Sequence, residues 1–174
     1  MSKKKKMNLT QAIKIIDQHA NNPERGLPQD VFWLVSRMTP LVNVDLLIKD
    51  SNNRVLLAWR QDKFAGAGWH IPGGIVRYKE TLEDRIKQVA LTEIGQVIEY
   101  DLTPIAINEI HRPHSTRGHF ISFLYQCTID NKFEPDNTGR LETDPGYLAW
   151  HAECPSNLIQ VHELYRSYIT TSLR

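Results

Sequence analysis

Residues 70 to 95 read HIPGGIVRYKETLEDRIKQVALTEIG. Pro72-Gly73-Gly74 predicts a turn, because two residues without Cβ can bend where others cannot and let a ligand come close. A helical stretch follows, beginning near Glu80 and ending near Glu93, with Gly95 as its C-cap. At about 100° per residue, Leu82, Ile86, Val89 and Glu93 fall within about 40° of one another. Glu93 therefore closes an otherwise apolar stripe. An acid there is costly unless it is paired or bound to a cation; the alternative is a frayed edge that reaches water. Hard cations such as Mg²⁺ take carboxylates, backbone carbonyls, waters and substrate phosphates. A carbonyl beside the two glycines and a helix carboxylate form such a set.

Outward from this stretch the period changes twice. LVNVDLLI (41–48) alternates as a strand, with Val42, Val44, Leu46 and Ile48 on one face and Asn43 and Asp45 on the other. DSNNR predicts a turn and VLLAWR a returning strand, and QDKFAGAGWH predicts a Gly-rich loop. Beyond the central helix, VIEY, PIAINEIH, HFISFLYQCTI and YLAWH predict strands, and 156–172 predicts a C-terminal helix. Residues 1–38 predict a helical extension, with Leu9, Ile13 and Ile16 at helical spacing and a second short helix carrying Phe32, Trp33 and Val35. Its apolar side must cover its own domain or a second subunit. Residues 39–174 then form the main domain, an α/β fold in which strands precede and follow one central helix.

The 174 residues carry a net charge of +1, with 24% charged and 41% apolar residues. That is an ordinary globular composition, without the basic excess of a nucleic-acid-binding protein. No apolar run approaches the roughly 18 residues of a membrane span, so no membrane partner is expected. The basic run at 3–6 has no apolar core behind it and reads as a solvated end. Cys127 and Cys154 form no CxxC pair and read as reduced thiols of a cytoplasmic protein.

Gly74, Glu80, Glu93 and Gly95, at these spacings, resemble the Nudix box, Gly-x5-Glu-x7-Arg-Glu-Val-x-Glu-Glu-x-Gly-Val. Gln88, Val89 and Thr92 stand where the box has Arg, Glu and Glu. The GDP-mannose mannosyl hydrolase branch carries a similarly thinned box. The chain resembles that branch over roughly residues 39 to 128: Thr39-Pro40-Leu41-Val42 with Asp45, the strand ending in Arg60, Gly68-Trp69, Pro72-Gly73-Gly74 and Glu80-Thr81-Leu82. Val161-His162 and Arg166-Ser167-Tyr168 also look related. The resemblance implies a Nudix fold, mixed β-sheets sandwiched between α-helices, and a homodimer. It implies hydrolysis of a nucleoside diphosphate derivative with Mg²⁺, or Mn²⁺ in its place. A nucleotide sugar is the first expectation, with water attacking the anomeric carbon. The alternatives are an ADP-ribose-like pyrophosphohydrolase with attack at phosphorus, and a nucleotide-binding module whose catalysis has decayed.

Carried over residue by residue, Gly73 (through its carbonyl) and Glu93 match metal-ligand positions, and Asp45 matches an Asp of the sugar region. The branch has Arg where this chain has Ile75, and a Gln-His pair in a late loop where this chain reads RLETDPGYLAW, leaving Glu142 or Asp144 as substitutes. Glu80 is expected to hold the junction into the helix, with Gln88, two turns on, as its candidate partner. Arg60 is a candidate phosphate contact or a surface ion pair. HRPHSTRGH packs His111, Arg112, His114, Arg117 and His119 into nine residues. It is either a cationic loop for diphosphate, with Arg112 and Arg117 as contacts, or a solvated hairpin. His119 is the histidine chosen as general base.

Overall fold

The structure is a computed structural model that describes residues 7–115 and 117–170; the basic run at 3–6 lies outside them. Helices α1 (Leu9–His19) and α2 (Gln29–Ser36) come first. Asn8 caps α1 by accepting from the Gln11 amide while Gln11 returns to the Asn8 amide, a reciprocal capping box. No α1 residue is buried, and Leu9 and Ile13 stay 77% and 48% exposed. The apolar face expected there is present but uncovered.

Among the described residues, eight strands form one mixed sheet: β1 (Leu41–Lys49), β2 (Val55–Asp62), β3 (Gly66–His70), β4 (Gly73–Ile75), β5 (Glu99–Tyr100), β6 (Ala106–His111), β7 (His119–Thr128) and β8 (Leu148–His151). β1 lies centrally, parallel to β7 and antiparallel to β2 and β4. β5 and β6 pair β7, while β3 and β8 pair β2. The stretch QDKFAGAGWH, expected as a loop, is mostly strand: Gly66 to His70 run antiparallel to β2, with Trp69 opposite Trp59. Backbone pairing with an adjacent strand outweighs the weak intrinsic strand preference of Gly and Ala.

Both faces of β1 are buried from Val44 to Lys49. Val44, Leu46 and Ile48 pack beneath helix α3 (Leu82–Val89) with Ile86 and Val89. Leu47 packs on the other face with Ile71, Tyr165 and Ile169. Each fully buried Leu or Ile contributes about 1.5–3 kcal/mol, so the sheet is clamped from both sides. The C-terminal segment begins as a 3₁₀ helix, Gln160–Tyr165, and becomes α4 only over Arg166–Thr170. No helix among the described residues is long and apolar enough to cross a membrane.

Candidate active site

Gly73 and Gly74 lie in strand β4, not in the turn expected from the Pro-Gly-Gly composition. Gly73 and Gly74 pair with Asp45 and Val44, and neither has a positive φ. Their lack of a side chain answers a shortage of space. A Cβ on Gly73 would collide with Asp45 Oδ1 and stand 2.7 Å from the Val44 carbonyl. One on Gly74 would lie 2.9 Å from Val89 and 3.2 Å from Arg85 Cδ.

The ladder also fixes where Gly73 points its polar groups. Leu46 N–H donates to Pro72 O, and Val76 N–H donates to Val42 O. In an antiparallel pair alternate residues turn N–H and C=O toward the neighbour. Pro72, Gly74 and Val76 thus face β1, and Gly73 turns both groups away from it. Its N–H meets the Glu93 carboxylate, which leaves the Gly73 carbonyl on the same side.

At the start of α3, Glu80 is held by Arg85. Arg85 Nε lies 2.8 Å from Glu80 Oε2 and Nη2 lies 2.7 Å from Oε1, and the Arg77 amide adds a third donor at 2.8 Å. Arg85 is 6% exposed. The expected partner Gln88 is displaced in this role. Arg85 stands one turn nearer the junction, where its guanidinium grips both carboxylate oxygens with charge, which an amide lacks. Glu80 acts here as a joint between loop and helix.

At the other end, α3 loosens into a π turn, Ala90–Ile94, closed by Gly95 in the left-handed region at φ 76° with its N–H on Ala90 O. Such π turns recur at functional sites because they shift one side chain off the helical register. Glu93 is the half-buried acid of this turn. Burial pushes its pKa up to about 7, against the opposing pull of the Gly73 N–H and of Arg60.

Glu93, Gly73, Asp45, Arg60, His70 and Arg117 line one cleft of about 990 Å³, ample for a nucleotide derivative. Arg60 donates to Asp62, which also accepts from the Phe64 and Ala65 amides. Arg117 lies 5.2 Å from the Phe32 ring, 5.6 Å from Phe64 and 5.9 Å from Phe120. Its Nε is buried without a hydrogen-bond partner among the described residues. The N-terminal extension thus supplies a wall of the cleft through Phe32 and Val35.

The donor chemistry fits a divalent cation held largely by substrate. A half-buried carboxylate kept from easy ionisation lies beside a carbonyl turned out of the ladder. Among the described residues no three His, Cys, Asp or Glu side chains cluster as a metal cage. Mg²⁺ commonly binds through one or two carboxylates completed by phosphates and water.

Asp45 lies behind Gly73, only 2% exposed. Ser122 Oγ and the Tyr165 hydroxyl (2.6 Å) both donate to Oδ2, and Asn43 Nδ2 donates to Oδ1 at 2.9 Å. Burial raises its pKa while these donors pull it down. Expected as a substrate contact, Asp45 lines the cleft with both oxygens already engaged, and it wedges Gly73 in place. His162 and Tyr165 of the 3₁₀ segment complete the support, His162 Nδ1 accepting from the Ile71 amide at 3.0 Å. Sequence reasoning missed Arg85 and His70, and also Ser122 and Tyr165, whose shared partner Asp45 lies 77 and 120 positions away.

The basic hairpin is split by the structure. Arg117 joins the cleft, while His111, Arg112 and His114 line a separate surface groove. His119, the expected base, points Nε2 at Glu109 Oε1 (3.0 Å) and does not line the cleft. Asp144 accepts from the Leu141 amide within a turn, and Glu142 is exposed; neither lines the cleft, although Arg140 and Gly146 do.

Fold and cleft together define a Nudix hydrolase. The NUDIX domain model matches residues 39–153, and the chain belongs to this family, whose members hydrolyse nucleoside diphosphate derivatives and generally use divalent metals. It is 28% identical over 116 residues to the low-salt glycan biosynthesis protein Agl8 of Haloferax volcanii, covering 64% of this chain and 74% of that one. A MutT Nudix hydrolase from Burkholderia pseudomallei superposes with a TM-score of 0.59 at 22% identity, over 76% of this chain and 99% of the other. A possible asymmetric diadenosine tetraphosphate hydrolase from Jonesia denitrificans gives 0.58 at 18% identity, over 78% and 99%.

Proposed function

We propose that the protein is a Mg²⁺-dependent hydrolase of a nucleotide sugar, GDP-mannose in the first instance, releasing free sugar and nucleoside diphosphate. The observation that carries this reading is Glu93: one carboxylate on the cleft wall, facing the Gly73 N–H, with no acid cluster around it among the described residues. The likeness to a glycan biosynthesis protein supports the sugar class.

Gly73 O and Glu93 would hold the ion, which when bound supplies charge to stabilise the departing diphosphate. Arg60 and Arg117, which line the same cleft, orient the phosphates. Asp45 keeps Gly73 pressed against its strand, and Glu80 with Arg85 sets the angle of the helix that carries Glu93. Water adds at the anomeric carbon, the carbon–oxygen bond to the diphosphate breaks, and its electron pair leaves with the nucleoside diphosphate. The proton of that water passes to solvent. Attack at carbon asks for less charge compensation than attack at phosphorus, in keeping with a site that has Val89 and Thr92 in place of acids.

Incubation with Mg²⁺ and GDP-mannose, UDP-glucose or ADP-ribose tests this directly. Free sugar plus nucleoside diphosphate is the expected product pair. Sugar phosphate plus nucleoside monophosphate would move the reaction to phosphorus, and binding without turnover would remove the enzymatic reading. The uncovered Leu9 and Ile13 of α1 support a homodimer, which light scattering after gel filtration checks.

A further inference from the structure

Two imidazoles of the cleft meet at one residue, Ile71, and its backbone N–H and carbonyl fix their tautomers. Ile71 N–H donates to His162 Nδ1 at 3.0 Å, and the Ile71 carbonyl lies 2.9 Å from His70 Nδ1. A backbone N–H only donates and a carbonyl only accepts. His162 therefore carries its proton on Nε2, and His70 carries its own on Nδ1. His70 Nε2 is left as a bare lone pair. Among the described residues, the Ile71 carbonyl is the only hydrogen-bond partner of the His70 ring.

Place matters as much as tautomer. His70 ends β3 opposite Ala58, two residues along β2 from Arg60, so His70 and Arg60 share a face of the sheet. Both line the cleft with Glu93 and Gly73. His162 stands against His70 with ring centroids 5.8 Å apart. Burial first, then the neighbouring His162 and Arg60, hold the His70 pKa down to about 4. The ring is neutral across the physiological range and keeps its lone pair.

A bare acceptor on this wall discriminates between substrate groups. A phosphate oxygen is itself an acceptor and gains nothing from a second one. A hydroxyl can donate, and an unmatched buried acceptor costs free energy. We infer that His70 Nε2 accepts a hydrogen bond from a hydroxyl of the sugar joined to the diphosphate held at Arg60, and so makes His70 a specificity-determining residue for that sugar group. This rests on the nucleotide-sugar reading above. A site built to pair a hydroxyl rejects analogues that lack it far more strongly than an apolar pocket can.

GDP-mannose and GDP serve as probes, each with Mg²⁺, against the wild type, His70→Phe and His70→Gln. His70→Phe is expected to raise the KM for GDP-mannose at least about 10-fold while the Kd for GDP stays within about twofold. His70→Gln, which restores an acceptor, is expected to recover most of the loss. An equal loss of GDP affinity in His70→Phe would place the residue at the phosphates or in the fold, and overturn the inference. So would an unchanged KM, or a fall in kcat alone with the loss of an ionisation from the pH–rate profile, which marks proton transfer. A wild type that binds GDP but neither binds nor cleaves GDP-mannose defeats the nucleotide-sugar reading and the inference with it. Failure in the variants alone defeats only the inference.

Discussion

The two ends of one short helical unit treat an acid in opposite ways. Glu80 enters α3 with three donors on its carboxylate, two of them from a buried guanidinium. Glu93 leaves through a π turn with its acid half-buried, facing a backbone N–H, and with its pKa pushed up to about 7. The contrast separates scaffold from chemistry. A carboxylate that the protein neutralises itself stabilises the fold. One that the protein leaves under-compensated is held ready for a charge from outside.

The largest expected effect comes from removing the raw end. Glu93→Gln keeps the shape and takes away the charge, and is expected to lower kcat/KM by ~10²–10³-fold. Steady-state rates over a Mg²⁺ titration check this. If Glu80→Gln costs as much activity with an unchanged melting temperature, the division of labour between the two ends is wrong.

Breaking the neutralised end should read out first as stability. Arg85→Ala leaves the Glu80 carboxylate largely buried without its partner, and side-chain exposures of 8% and 16% mean that water cannot replace the pair. The expected loss is about 3 kcal/mol by urea unfolding. Lys87–Glu83, on the same helix but 62% and 46% exposed, is expected to matter far less.

The same helix shows how far a sequence carries. Periodicity placed α3, its Gly95 cap and the stripe of Ile86 and Val89, because these depend on neighbours within one or two turns. It located Glu93 by the anomaly of an acid on that stripe. It misassigned the partner of Glu80, because motif spacing pointed to Gln88 while the guanidinium sits at Arg85. It took Gly73-Gly74 for a turn, because composition cannot tell a glycine needed for φ from one needed for space. The collision with Asp45 exists only once β1 lies beside β4. The pairs Asp45–Tyr165 and Ile71–His162 join residues 120 and 91 positions apart, so no local pattern reports them.

Glu93 also couples activity to stability through pH. Its folded-state pKa of about 7 lies above the reference value of 4.5, so the folded protein holds that proton more tightly than the unfolded chain. The stabilisation is fully present below 4.5 and is lost as pH rises through 7. Without metal, Glu93→Gln is therefore expected to be more stable than the wild type by ~3 kcal/mol at pH 8, and no different at pH 4. Added Mg²⁺ should raise the melting temperature of the wild type at pH 8 and leave that of the variant unmoved. Equal melting curves for both proteins at both pH values would show that the acid is not held against its charge.

The smallest effect is expected at His119, and it separates the cleft from the basic hairpin beside it. His119 stands at the start of β7 with Nε2 on Glu109, 3.0 Å away, on a carboxylate whose side chain is 67% exposed. Water can take the place of either partner, so the pair contributes little to stability. The ring also lies outside the residues that enclose Glu93, Gly73 and Arg60. His119→Ala is expected to change kcat/KM by less than about twofold and to leave the pH–rate profile intact. Arg117, two residues earlier, does reach the cleft against Phe32 and Phe64, and Arg117→Ala should weaken substrate binding about 10-fold. A large loss in His119→Ala accompanied by the disappearance of one ionisation from the profile would mean that the hairpin swings its histidine over the cleft on binding. The border between scaffold and chemistry would then run through β7 rather than along α3.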